Sequence, residues 1–105
     1  MATDWSTVGS TAIAAAQGAL GPAWKVASNG ATAAINSLVQ TAQYIEENKD
    51  NMTSDEYQLL VSQQKTALQN VLTGYQAIGI AAAINAVSAV VTAVVNAVPT
   101  LVGIL

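Results

Sequence analysis

Apolar residues recur at intervals of three and four over two stretches of this 105-residue chain. Ile35, Leu38, Val39, Ala42 and Ile45 form the first set. Tyr57, Leu60, Val61, Leu68, Val71, Leu72, Tyr75 and Ile78 form the second, interrupted by Gln64. That period places each set on one face of an α-helix. Between them lies Asn48-Lys49-Asp50-Asn51, too short a polar link for anything but antiparallel neighbours. The second helix carries a written start. Thr53 is an N-cap whose hydroxyl accepts from the Glu56 amide, the Glu56 side chain reaches back, and Met52 and Tyr57 occupy the positions of a hydrophobic staple. The helix is therefore predicted to begin at Ser54, with Asp55 and Glu56 favourably placed in its first turn.

The pattern weakens upstream. A short helix rich in Ala, Ser and Thr is predicted between about Asp4 and Leu20. Gly21-Pro22 can open another helix, with proline in its first turn, and Ser28-Asn29-Gly30 reads as a break. This divides the chain into an N-terminal helical segment, 1–30, and an α-hairpin, 31–105, with a polar tip at 46–56.

The final helix, predicted from Ala77 to Val98 and stopped by Pro99, has three faces when residues are placed 100° apart. Ile80, Ile84, Val87, Val91, Val94, Val95 and Val98 share one. Ala82, Ala86, Ala89, Ala93 and Ala97 lie nearly opposite. A line of Asn85, Ser88, Thr92 and Asn96 runs between them. No face is made for open water, as expected of a helix buried in an assembly or in lipid. Its 22 residues rise about 33 Å, close to the roughly 30 Å of bilayer hydrocarbon, but neither aromatic nor basic anchors mark its far end. The neutral polar line fits register-fixing hydrogen bonds to neighbouring helices better than an ion-selective lumen, which uses charged rings.

Charge sharpens this picture. Charged residues make up 9% of the chain, against roughly 25% in ordinary soluble domains. Seven of the nine lie between positions 46 and 65, and none lies from 66 to 105. Water is thus expected at one place, the hairpin tip, and partners elsewhere. The tip carboxylates Glu46, Glu47, Asp50, Asp55 and Glu56 lack the alternating ligands and central glycine of a calcium loop. Crowding raises the proton affinity of neighbouring carboxylates, which makes this cluster a candidate pH-responsive tip. Trp5 and Trp24 are candidate anchors for a bilayer or a partner, or ordinary packing residues.

Composition narrows the chemistry. With 21 alanines, 12 valines, no cysteine and no histidine, thiol and imidazole catalysis, Cys/His metal sites and disulfides are excluded. Three lysines, no arginine and a net charge of −3 exclude tracking of a nucleic-acid backbone. Gly9, Gly18 and Gly21 do not form a phosphate loop. Ser and Thr abound, but no base is present to activate one. No catalytic, cofactor-binding or metal site is expected, and no small-molecule substrate. Met1 to Trp5 has no basic region leading into an apolar core, so no secretory signal is expected.

The run Gln76-Ala77-Ile78-Gly79-Ile80-Ala81-Ala82, followed by Asn85-Ala86-Val87, resembles a segment of the R-body (killing-trait) structural proteins. These carry a similar Gln-Ala-Leu-Gly-Leu-Ala-Ala and Asn-Ala-Val. The likeness covers about a dozen positions of low complexity. The chain departs from it after Val87, where a valine-rich end replaces a Gln-rich continuation. The resemblance implies a cytoplasmic bacterial polymer, a coiled ribbon that in some types extends on acidification.

The expectation from the residues is an all-α fold: a long antiparallel helical hairpin with a short N-terminal helical segment, packed in a homo- or hetero-polymer. Its partners are then itself or a homologous subunit, through Ile80, Ala82, Ile84, Ala86, Val87, Ala89, Val91, Ala93, Val94 and Val98. The alternative is a membrane-associated pore or injection protein with 77–98 spanning the bilayer.

Overall fold

In the computed structural model, which describes residues 3–105, each helix boundary has a local cause. Asp4 caps the first helix, α1 (Trp5–Leu20), accepting hydrogen bonds from the Thr7 amide and the Thr7 hydroxyl. α1 ends at Gly21, whose φ of 57° lies in the region that favours glycine. One 3₁₀ turn, Gly21–Ala23, leads into α2 (Trp24–Asn48). A second such turn, Lys49–Asn51, precedes α3 (Ser54–Thr73). The capping box is present at both ends: the Glu56 amide donates to Thr53 Oγ1 at 3.2 Å, and the Thr53 amide donates to Glu56 Oε1 at 3.0 Å. After residues 74–79 the chain enters α4 (Ile80–Ala97), and Val98 and Pro99 close it.

Two boundaries differ from expectation. Ser28-Asn29-Gly30 does not break the chain, because α2 runs through it without interruption. The division at residue 30 therefore falls inside a helix. Glycine is tolerated there because the Tyr75 side chain packs where a β-carbon would stand, so tertiary contact offsets the low helix propensity. The last helix begins at Ile80 rather than Ala77, and the preceding one stops at Thr73. Gly74 and Gly79 bracket a connector in which Ile78 is buried and Tyr75 half-buried.

Among the described residues the fold is all-α, a bundle of four helices. α2 and α3 form the expected antiparallel hairpin. α4 then returns toward the hairpin tip, where Thr100 meets Glu46. α1 runs the other way, with Trp5 and Gly9 beside Asn36 and Gln40 of α2. α1 packs most extensively on α4, and α2 on α3, so the bundle consists of two helix pairs laid together. The radius of gyration is 13.3 Å, close to the roughly 13 Å of a compact 100-residue domain. The apolar arms thus cover one another within a single chain.

The core is built from small residues on the α1/α4 side and larger ones on the α2/α3 side. Val8, Ala12 and Ala16 of α1 and Ala83, Ala86, Val90 and Val94 of α4 are buried with Ile35, Leu38, Ile45, Leu68 and Leu72. Among the described residues no polar or charged residue is buried. Cohesion in this interior therefore comes from burial and shape, with no internal hydrogen-bond network.

Candidate assembly surface

The face of α4 that points into the bundle is centred on Ala83, Val90 and Val94, all buried. On a helical projection it lies between the Ile/Val face and the alanine face marked by the sequence pattern. Val90, fully buried, belongs to neither. The ten expected interface residues consequently divide. Ala86, Val87, Val94 and Val98 are buried inside the chain, which corrects their assignment to contacts between subunits: the helices packed on α4 within the same bundle already cover them. Ala82, Ala89, Val91 and Ala93 are half-buried. Ile80 and Ile84 stand outward, 67% and 49% exposed.

The polar line Asn85, Ser88, Thr92 and Asn96 is exposed along its whole length. It touches no neighbouring helix through a side-chain hydrogen bond among the described residues. Ser88 and Thr92 share a shallow groove with Lys65 and Gln69 of α3, and on α1 the residues Ser6, Thr7, Ser10, Thr11, Ala14 and Gly18 are likewise exposed. No charged residue occurs in Trp5–Leu20 or in Ile80–Ala97. The exposed side chains of α1 and α4 therefore make a neutral field of small hydroxyl, amide and methyl groups, broken by two isoleucines and bordered by Lys65 of α3 beside Ile84. The sequence marked the α4 half of this field. The α1 half was missed, because nothing in the pattern made these two helices neighbours; the absence of charge between residues 5 and 24 is the signal that could have found it.

Apart from Asp4, the N-cap of α1, the charge falls on the other pair. Lys25, Glu46, Glu47, Lys49, Asp50, Asp55, Glu56 and Lys65 all belong to α2, α3 or the tip between them. Glu46 receives a hydrogen bond from the Thr100 hydroxyl and an ion pair from Lys49 at 3.3 Å. The Thr100 bond is the larger cause, and the two hold its carboxyl below the ordinary value. Glu56 is lowered as well, by its capping-box bonds with Thr53. For these two groups the single chain thus stabilises the charged form, the opposite direction from the mutual elevation expected of a crowded tip.

Trp5 and Trp24 are half-buried and packed against the core. Shallow grooves flank the hairpin. One of them, of about 480 Å³, is lined by Ser37, Gln40, Thr41, Tyr44, Leu60 and Gln64. Tyr44 is its sole titratable lining group, which leaves no acid/base pair to act on a molecule resting there. No family model, no curated protein and no solved structure matches the chain.

Proposed function

We propose that the chain is a non-enzymatic, self-assembling structural subunit of a bacterial cytoplasmic polymer, a ribbon, filament or sheet of the R-body kind. Copies pack through the outer surface of the α1/α4 pair. The observation that carries this reading is the neutrality of that surface, together with the outward Ile80 and Ile84. Soluble monomers keep charge distributed over their surfaces, and an uncharged field avoids the desolvation cost of burying ions. Ser, Thr and Ala also lose little side-chain entropy when ordered. The charged α2/α3 pair and its acidic tip then face solvent, and rearrangement of the polymer with pH rests on those carboxylates.

A second reading rests on α4. Its 18 uncharged residues are long and apolar enough, by length and composition, to cross a membrane. At about 1.5 Å per residue they span roughly 27 Å, near the lower limit for a bilayer.

Sedimentation velocity and electron microscopy of the purified chain without detergent, across pH 5 to 7, test both readings. Large lipid-free polymers are expected. The double variant Ser10→Lys/Thr92→Lys, which adds charge to the neutral field at exposed positions, is expected to remain a folded monomer. A chain that stays monomeric at high concentration overturns the structural reading, and recovery only in membranes or micelles replaces it with the second.

A further inference from the structure

Among the described residues, side-chain hydrogen bonds join residues three or four apart with two exceptions. Thr100 Oγ1 donates to Glu46 Oε2, and Lys65 Nζ donates to the Leu105 carbonyl at 3.3 Å. Both fasten the same stretch, 98–105, onto the α2/α3 pair. Leu101 is fully buried, and Ile104 lies in a groove with Val61 and Lys65. Everywhere else the helices meet through apolar contact, which has no direction. The directional tertiary bonds therefore all belong to one segment, which is bonded at the hairpin tip through Thr100 and partway along α3 through Lys65.

The Thr100–Glu46 bond lies at the end opposite the covalent connections between the pairs. α1 joins α2 through Gly21–Ala23, and α3 joins α4 through residues 74–79. Both connectors lie at the end of the bundle away from the tip, because α2 and α4 each run toward the tip. Each carries glycine: Gly21 at positive φ in the first, Gly74 and Gly79 bounding the second. Contacts within the pairs α1/α4 and α2/α3 are more extensive than those across them. Few-residue connectors between two well-packed bodies are the usual seat of hinge motion.

We propose that the molecule is a hinged pair of layers, α1/α4 on α2/α3, and that segment 98–105 is the latch that holds them closed at the tip. Release of the Thr100–Glu46 bond lets the layers part from the tip, exposing Val94 and its neighbours while Ala83, near the hinge, stays covered. This device goes beyond the polymer reading and does not depend on it.

The chain has no cysteine, so single thiols placed in the core report opening directly through their rate of reaction with a thiol reagent. Val94→Cys places one near the latch and Ala83→Cys one near the hinge, each compared with and without Thr100→Val. The Thr100–Glu46 bond is solvent-exposed, and a bond of that kind is worth a factor of about five in an opening equilibrium. Thr100→Val is thus expected to speed labelling at position 94 about fivefold and at position 83 less than twofold, while Thr100→Ser keeps the slow rate. Equal acceleration at both positions, which is global unfolding, or no acceleration at 94, overturns the latch. Val98→Cys provides the same measurement if the thiol at position 94 disturbs folding.

Discussion

The Tyr75 hydroxyl packs against Gly30 so closely that a β-carbon on Gly30 would stand 2.5 Å from the phenolic oxygen and 3.2 Å from Val71 Cγ1. This contact joins the connector before α4 to the second turn of α2. It also explains how a helix of 25 residues passes through Ser-Asn-Gly without breaking. Replacing Gly by Ala in a helix ordinarily gains about 1 kcal/mol. Here the added methyl must displace an aromatic ring, so Gly30→Ala is expected to destabilise the fold by about 1 kcal/mol. In the Tyr75→Phe background most of that loss is expected to disappear. Urea unfolding of the four-member cycle measures the coupling; the same gain in both backgrounds would refute the contact.

The capping box at the start of α3 is the strongest local signal in the chain. Thr53→Ala removes the acceptor for the Glu56 amide and frees the reciprocal side chain. A loss of about 1 kcal/mol is expected, with little change for Thr53→Ser. Thermal unfolding followed by circular dichroism checks both variants.

Two leucines of α3 separate burial from composition. Leu72 is 0% exposed and Leu59 is 59% exposed. Leu72→Ala is expected to cost about 2–5 kcal/mol through lost burial and the cavity left behind. Leu59→Ala is expected to stay within about 0.5 kcal/mol of the parent. Comparable losses at both positions would contradict the packing of α3 described above.

The acid response follows from the hydrogen bonds of Glu46 and Glu56. Thr100 and then Lys49 lower the first, and Thr53 lowers the second, relative to an ordinary value of 4.5. A carboxyl whose folded value lies below its unfolded one adds stability that is fully present above the unfolded value. That stability is lost as the pH falls through the folded value. Stability is therefore expected to be level from pH 7 to about pH 5.5 and to decline below 4.5. Glu46→Gln should flatten part of that decline. Chemical unfolding at a series of pH values reads the slope, and an unchanged slope in the variant would show that Glu46 does not contribute to it.

The sequence by itself determined the elements whose causes are local. The α2/α3 hairpin, its tip and its capping box were legible, because a cap needs only four consecutive residues and a helical stripe only its own period. Ile35, Leu38, Val39, Ala42 and Ile45, read as one face, are all buried. In α3, Val61, Leu68 and Leu72 are buried, and Tyr57, Leu60 and Val71 partly so. The absence of charge from 66 to 105 also pointed to the neutral outer face of α4, but not to its counterpart on α1.

Only the tertiary structure decided which side of α4 is inside. Valine and alanine are both apolar and both are readily buried, so periodicity separates them by size without choosing a buried face. The choice fell on Ala83, Val90 and Val94, where the small residues of α1 allow close approach. Gly30 reads as a helix breaker until Tyr75, 45 positions later, occupies the space it leaves. The Glu46–Thr100 bond is invisible for the same reason: its partners are 54 residues apart, and only the return of α4 to the hairpin tip brings them together.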